Sequence, residues 1–101
     1  MAKVALMIGR GGVNGAASAS PVWQGLPRVG VAVTSSGTSA TLSVAEAYRG
    51  EVVRFKTAGG AVWIAESGAA AANKGLFLAD GDIYEAQYLE GHTAGWRVID
   101  A

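Results

Sequence analysis

Four groups of residues in this chain have types and spacing that suggest chemistry. Gly9 and Gly11 follow the apolar run Val4–Ile8, as the start of a dinucleotide fingerprint would. That motif needs a third glycine at the foot of a helix, so the pyrophosphate can approach backbone N–H groups, and an acid further on for the ribose. Here Asn14 stands at the third glycine position, Pro21 interrupts any helix, and the first acid is Glu46. The stretch reads as an arm, not a nucleotide site. Asp80, Asp82 and Glu85 offer three carboxylates, but without the oxygen-rich loop that calcium requires. Asp80-Gly81 is a hairpin-turn dipeptide, and Glu85 falls on the strand that leaves it. His92, the single histidine, lies in Gly91-His92-Thr93 with no nucleophile elbow and no acid placed to orient it, so it reads as a surface or interface histidine. Trp23, Trp63 and Trp96 would make a stacking platform for sugars if exposed together; Trp63 and Trp96 fall on strands as core or interface residues do. Trp23 stands apart, between Pro21 and Pro27, as an anchor for a neighbour's pocket would. No catalytic residue, cofactor site or metal site is expected, and the chain does not read as an enzyme.

The elements that must carry these residues are short strands. Val4, Leu6 and Ile8 alternate in a first strand, and Val29, Val31 and Val33 in a second. Leu42 and Val44 resume the pattern, with a possible helical turn over Ala45–Tyr48. In the second half, Glu51–Thr57, Ala61–Glu66, Asp82–Leu89 and Gly95–Asp100 are apolar runs separated by Gly, Asn and Asp turns. Val62, Trp63 and Ile64 put apolar groups on both faces, which marks a central or interface strand. A short helical turn is conceivable over Gly68–Asn73. Seven or eight strands predict an all-β fold, a compact antiparallel β-sandwich of jelly-roll or Ig-like type. Residues 9–21 hold almost no bulky side chain and cannot offset their own ordering entropy by burial. The expected division is a first strand and extended Gly/Ala-rich N-terminal arm over 1–27, then the β-sandwich domain over 28–101.

Bulk properties narrow the function. With 101 residues there is room for one domain, and a core built largely of alanine is thin enough to be completed by a partner subunit. The net charge is zero, which argues against a nucleic-acid binder. It is unevenly spread: residues 1–45 carry Lys3, Arg10 and Arg28 and no acid, while residues 46–101 carry five bases and eight acids. An acidic surface is the expected neighbour of the basic half. Cysteine is absent, so no disulfide framework is possible. No apolar run is long enough to span a membrane. The short run after Lys3 is broken by Gly9-Arg10-Gly11-Gly12, which reads against an export signal.

The order of the second half resembles that of small tailed-bacteriophage proteins that decorate or cement the capsid. The pattern is Val53-Arg54-Phe55, then Gly60–Ala65, an Ala-rich stretch, Gly75–Glu85, Gly91-His92-Thr93 and a closing Trp96–Ala101. The resemblance covers about half the chain, and implies an all-β, often oligomeric domain on the outside of a shell. The expected function is therefore that of a virion structural protein, stabilising a phage capsid by bridging subunits of the major capsid protein. A homotrimer is favoured, made in the host cytoplasm and located on the capsid surface, with neither nucleic acid nor membrane as partner. Arg10, Trp23 and Arg28 are the expected capsid-docking residues, and Val62, Trp63 and Ile64 the expected subunit interface. The alternatives are a carbohydrate- or receptor-binding module of a fibre or spike, and a tail or connector component.

Overall fold

The computed structural model describes residues 1–12, 22–23 and 26–101. The described residues form nine strands and no helix: β1 (Lys3–Gly12), β2 (Val22–Trp23), β3 (Val29–Thr34), β4 (Ala40–Ser43), β5 (Glu51–Ala58), β6 (Val62–Ala65), β7 (Leu76–Leu78), β8 (Ile83–Tyr88) and β9 (Trp96–Asp100). They make two antiparallel sheets. The larger has β5 between β8 and β1, with β2 and β3 both on the far side of β1; the smaller runs β4-β9-β6-β7. The expected helical turns over 45–48 and 68–73 do not form. The first is extended and makes a bridge from Ala47 to His92, and the second is a loop.

Alternation puts one face of each sheet into a shared core. Val4, Leu6 and Ile8 of β1 lie beside Val53 and Phe55 of β5, and against them pack Leu42, Val62, Ile64, Leu78, Trp96 and Val98 of the smaller sheet. Burying such side chains is worth about 1.5–3 kcal/mol each and is the main force holding the layers together. β1 is thus the hydrogen-bonded centre of the larger sheet. The expected boundary after residue 27 is not a boundary of the core, because residues 2–8 share one apolar cluster with residues 42–98.

Past Ile8 the first strand continues into the glycines. Gly11 pairs with Trp23 and Gly12 with Val22. Three steps along β1, from Gly11 to Ile8, face six on the other side, from Trp23 to Val29, so the register shifts between β2 and β3. Residues 13–21, the middle of the expected arm, lie outside the described residues.

Asp80-Gly81 makes a tight turn, but not that of a hairpin. It carries the chain from β7 in one sheet to β8 in the other. Its carboxylates secure that corner: Asp80 Oδ1 accepts from the Gly59 N–H at 2.8 Å and Asp82 Oδ2 from the Ala79 N–H at 3.0 Å. Thr57, fully buried, donates its hydroxyl to the Ala79 carbonyl at 2.7 Å. Glu85 pairs with Arg54 instead, at 3.1 Å. The three acids therefore do not converge, and no metal-ligating cluster occurs among the described residues.

Candidate functional site

The two sheets part along one side, between β8 at the edge of the larger sheet and β6 and β7 of the smaller. Tyr84, Ala86 and Tyr88 alternate on the inward face of β8, opposite Phe55, Val53 and Glu51 of β5. No strand of the smaller sheet covers them fully. The resulting cleft holds about 440 Å³, within the range of small-ligand sites. Phe55 and Trp96 form its floor, Ile64, Leu76 and Gly75 one wall, and Tyr84 and Tyr88 the other. Two small residues keep it open, Ala86 and Gly75. Gly75 has φ +89°, and a Cβ there would stand 2.3 Å from the Ile64 carbonyl oxygen, so the wall is pinned by close backbone approach.

A connected set of rings stiffens the floor. Trp96 meets Phe55 edge-on at 6.0 Å and Tyr88 edge-on at 5.8 Å, while the His92 ring lies 4.6 Å from it. His92 Nε2 faces two carbonyl oxygens, Glu66 at 2.8 Å and Gly95 at 3.2 Å. Both are acceptors, so this nitrogen carries the proton and donates. His92 is therefore a structural tie that anchors the backbone of Glu66. It is half-buried and sits against aromatic rings, where the sequence suggested a surface or interface position.

Glu66 is the charged group of the cleft. The Tyr88 hydroxyl donates to its Oε1 at 2.7 Å and accepts from Trp96 Nε1 at 3.4 Å. Burial, and then the hydrogen bond to Glu66, push the Tyr88 phenol up to about 12, so it remains a donor at neutral pH. Glu66 Oε2 has no hydrogen-bond donor among the described residues, and no Lys or Arg lines the cleft. Nothing in the sequence singled out Glu66, Tyr84 or Tyr88, because the walls come from five stretches between Phe55 and Trp96.

The residues expected to dock or assemble are placed differently from one another. Arg10 is exposed, opposite Glu51 on β5. Arg28 is already engaged within the chain. Its Nε and Nη2 donate to the two Glu51 oxygens at 3.0 and 2.7 Å, Nη2 also donates to the Glu46 carbonyl at 2.6 Å, and the guanidinium lies 3.9 Å over the Tyr48 ring. This arginine ties the start of β3 to the segment leading into β5, so the residue expected to dock on a capsid is held by ion pair, hydrogen bond and ring contact within its own chain. Trp23 pairs through its backbone with Gly11, and its side chain is outside what is described. Val62 and Ile64 belong to the core, at 0% and 3% exposure, so they cannot form a subunit interface. Of the three, Trp63 alone points outward, half-buried, its ring tilted at 5.0 Å against that of Phe77, which is 47% exposed, and opposite Ile99.

The larger sheet ends in an edge of unusual composition. Among the described residues β3 pairs only with β1, through Val29, Val31 and Val33, leaving the backbone of Gly30, Ala32 and Thr34 directed away from the sheet. The strand carries no charge and no proline, the usual devices that keep a free edge from pairing with another chain. The opposite edge, β8, carries Glu85.

Compared with protein-family models, curated proteins and solved structures, the chain finds no match in any of the three.

Proposed function

We propose that this chain is a virion structural protein that decorates and stabilises a phage capsid by bridging subunits of the major capsid protein. The observation that carries the reading is a pair of apolar surfaces, on different sheets, that none of the described residues covers. One is the uncharged β3 edge, and the other is the outward Trp63–Phe77 pair. A protein that clamps neighbours needs two contact surfaces that do not compete, and a bare edge adds backbone hydrogen bonds to whatever strand it meets. The resemblance of the second half to capsid-decorating proteins supports the same reading. So does the way the chain changes sheet at β3–β4, β4–β5, β5–β6, β7–β8 and β8–β9, which favours a jelly-roll over an Ig-like sandwich.

In this reading the β3 edge, or the Trp63 surface, joins copies into a homo-oligomer, with a trimer favoured. The other surface meets the shell, and exposed Arg10 of β1 adds a positive charge to the contact. The protein is made in the host cytoplasm and resides on the capsid surface, acts without a cofactor and catalyses no reaction. Co-sedimentation with undecorated shells of the phage's own major capsid protein tests it. Wild type should pellet at a fixed ratio to capsid subunits. Ala32→Lys and Phe77→Lys, which charge the two surfaces without touching the core, should each weaken association at least tenfold. A wild-type chain that stays in the supernatant would remove the reading.

A further inference from the structure

The cleft beside β8 has a function of its own to explain. Its walls are mostly apolar and aromatic, with Gln87 the one amide, and among the described residues its only charged group is Glu66. That carboxylate is held by its neighbours: its carbonyl accepts from His92 and its Oε1 from Tyr88. One oxygen, Oε2, is left without a donor among the described residues, on an exposed side chain that lines the ring-walled cavity. A fixed carboxylate with no cation beside it selects for positive charge. Aromatic faces add to that preference, because the ring quadrupole attracts a cation within about 6 Å. Tyr84 is 43% exposed and bounds the cleft, while Leu76 and Ile64 offer contact to methylene groups.

We propose that this cleft binds an alkylammonium group, its charge set against Glu66 Oε2 and the tyrosine rings and its apolar stem between Leu76, Ile64 and Tyr84. A neutral sugar fits the lining less well. Hydroxyl-rich ligands need several fixed donors and acceptors; here the Tyr88 hydroxyl and Glu66 Oε1 already serve each other, and the Gln87 amide nitrogen already donates to the Gly50 carbonyl. An anion would meet Glu66 unscreened. The ammonium can be that of a free small amine or of a lysine side chain presented by another protein. The site does not depend on the capsid reading, since neither the β3 edge nor the Trp63 surface contributes to it.

The test is a titration followed by two-dimensional NMR of the full chain, read at the Trp96 indole N–H and the Ile83–Tyr88 amides. The probes are n-butylammonium, its neutral isostere n-butanol, N-acetyl-lysine methylamide and glucose. Saturable shifts confined to the cleft with n-butylammonium are expected, at least tenfold weaker for n-butanol. Glu66→Gln should reduce the amine affinity at least tenfold, and Ala86→Leu, which fills the opening, should abolish it while the remaining spectrum stays folded. Binding of both amines would assign the site to lysine side chains as well as free amines, and binding of n-butylammonium alone to small amines. Equal response to butanol, a stronger response to glucose, or amine shifts that survive both substitutions would overturn the proposal.

Discussion

Glu51 carries more structural duty than any other charged residue described. It is buried, accepts from Arg28 Nε and Nη2, and takes the Tyr48 N–H at 2.7 Å on the same oxygen as Nη2. The Arg28 guanidinium, ahead of the backbone bond, holds its carboxyl below the ordinary 4.5. A lowered folded-state value means the contribution is complete above the unfolded value and is lost as pH falls through the folded one. Chemical denaturation should therefore show stability falling once the pH drops below the ordinary 4.5 and on through the lower folded-state value. In Glu51→Gln that acid-dependent loss should shrink, with stability at neutral pH lower by about 1–2 kcal/mol, a figure kept modest because Arg28 is partly solvated. Asp100 shifts in the same direction, held down by the Ser35 hydroxyl, so some acid dependence should survive the substitution. Tyr88 works with the opposite sign. Its phenol is raised to about 12, so its contribution is intact below pH 10 and lost as pH rises through 12. Of the three tyrosines, one should ionise only near pH 12 in an ultraviolet titration, and that step should vanish in Tyr88→Phe.

At the scale of elements, backbone approach decides more than side-chain volume. Gly75 at φ +89° lets β7 come beside β6, with no space for a Cβ next to the Ile64 carbonyl. Gly75→Ala should lower stability by about 2–4 kcal/mol by combining a left-handed backbone with overpacking, as read by thermal denaturation. The strands themselves were legible wherever bulky residues alternate: Val4/Leu6/Ile8, Val53/Phe55 and Trp96/Val98 each announce a face. What stayed hidden has a physical cause. Gly9–Gly12 extend β1 with Arg10 as their one side chain and no apolar residue to set a period, so a glycine-rich strand reads like an arm. The turn at Asp80-Gly81 has the residues of a hairpin, yet only tertiary packing decides whether the next strand stays in the same sheet. The cleft was illegible because Glu66, Gly75, Tyr84 and Tyr88 converge only when two sheets are stacked. Val62 and Ile64 illustrate the period rule from the other side. Trp63 between them points out, so a run apolar on both faces contributed two residues to the core and one to the surface.

For the whole molecule, β1 at the centre of the larger sheet means that the N-terminal segment cannot be removed to isolate a β-domain. Deleting residues 1–12 should leave a chain without cooperative unfolding, since Val4, Leu6 and Ile8 leave the core together. Association should instead be probed by single charges on the rim. Ala32→Lys puts a lysine on the exposed edge strand, and should lower the mass seen by light scattering while changing stability by no more than about 0.5 kcal/mol. An unchanged mass would move the subunit contact from the β3 edge to the Trp63 surface. The most direct measurement of the bridging claim is a cryo-electron microscopy reconstruction of capsid shells incubated with the protein. The account predicts added density in which each copy touches two capsid subunits or a capsid subunit and a second copy, with the β3 edge and the Trp63–Phe77 face at those contacts. Shells without added density, or copies held through neither surface, would contradict it.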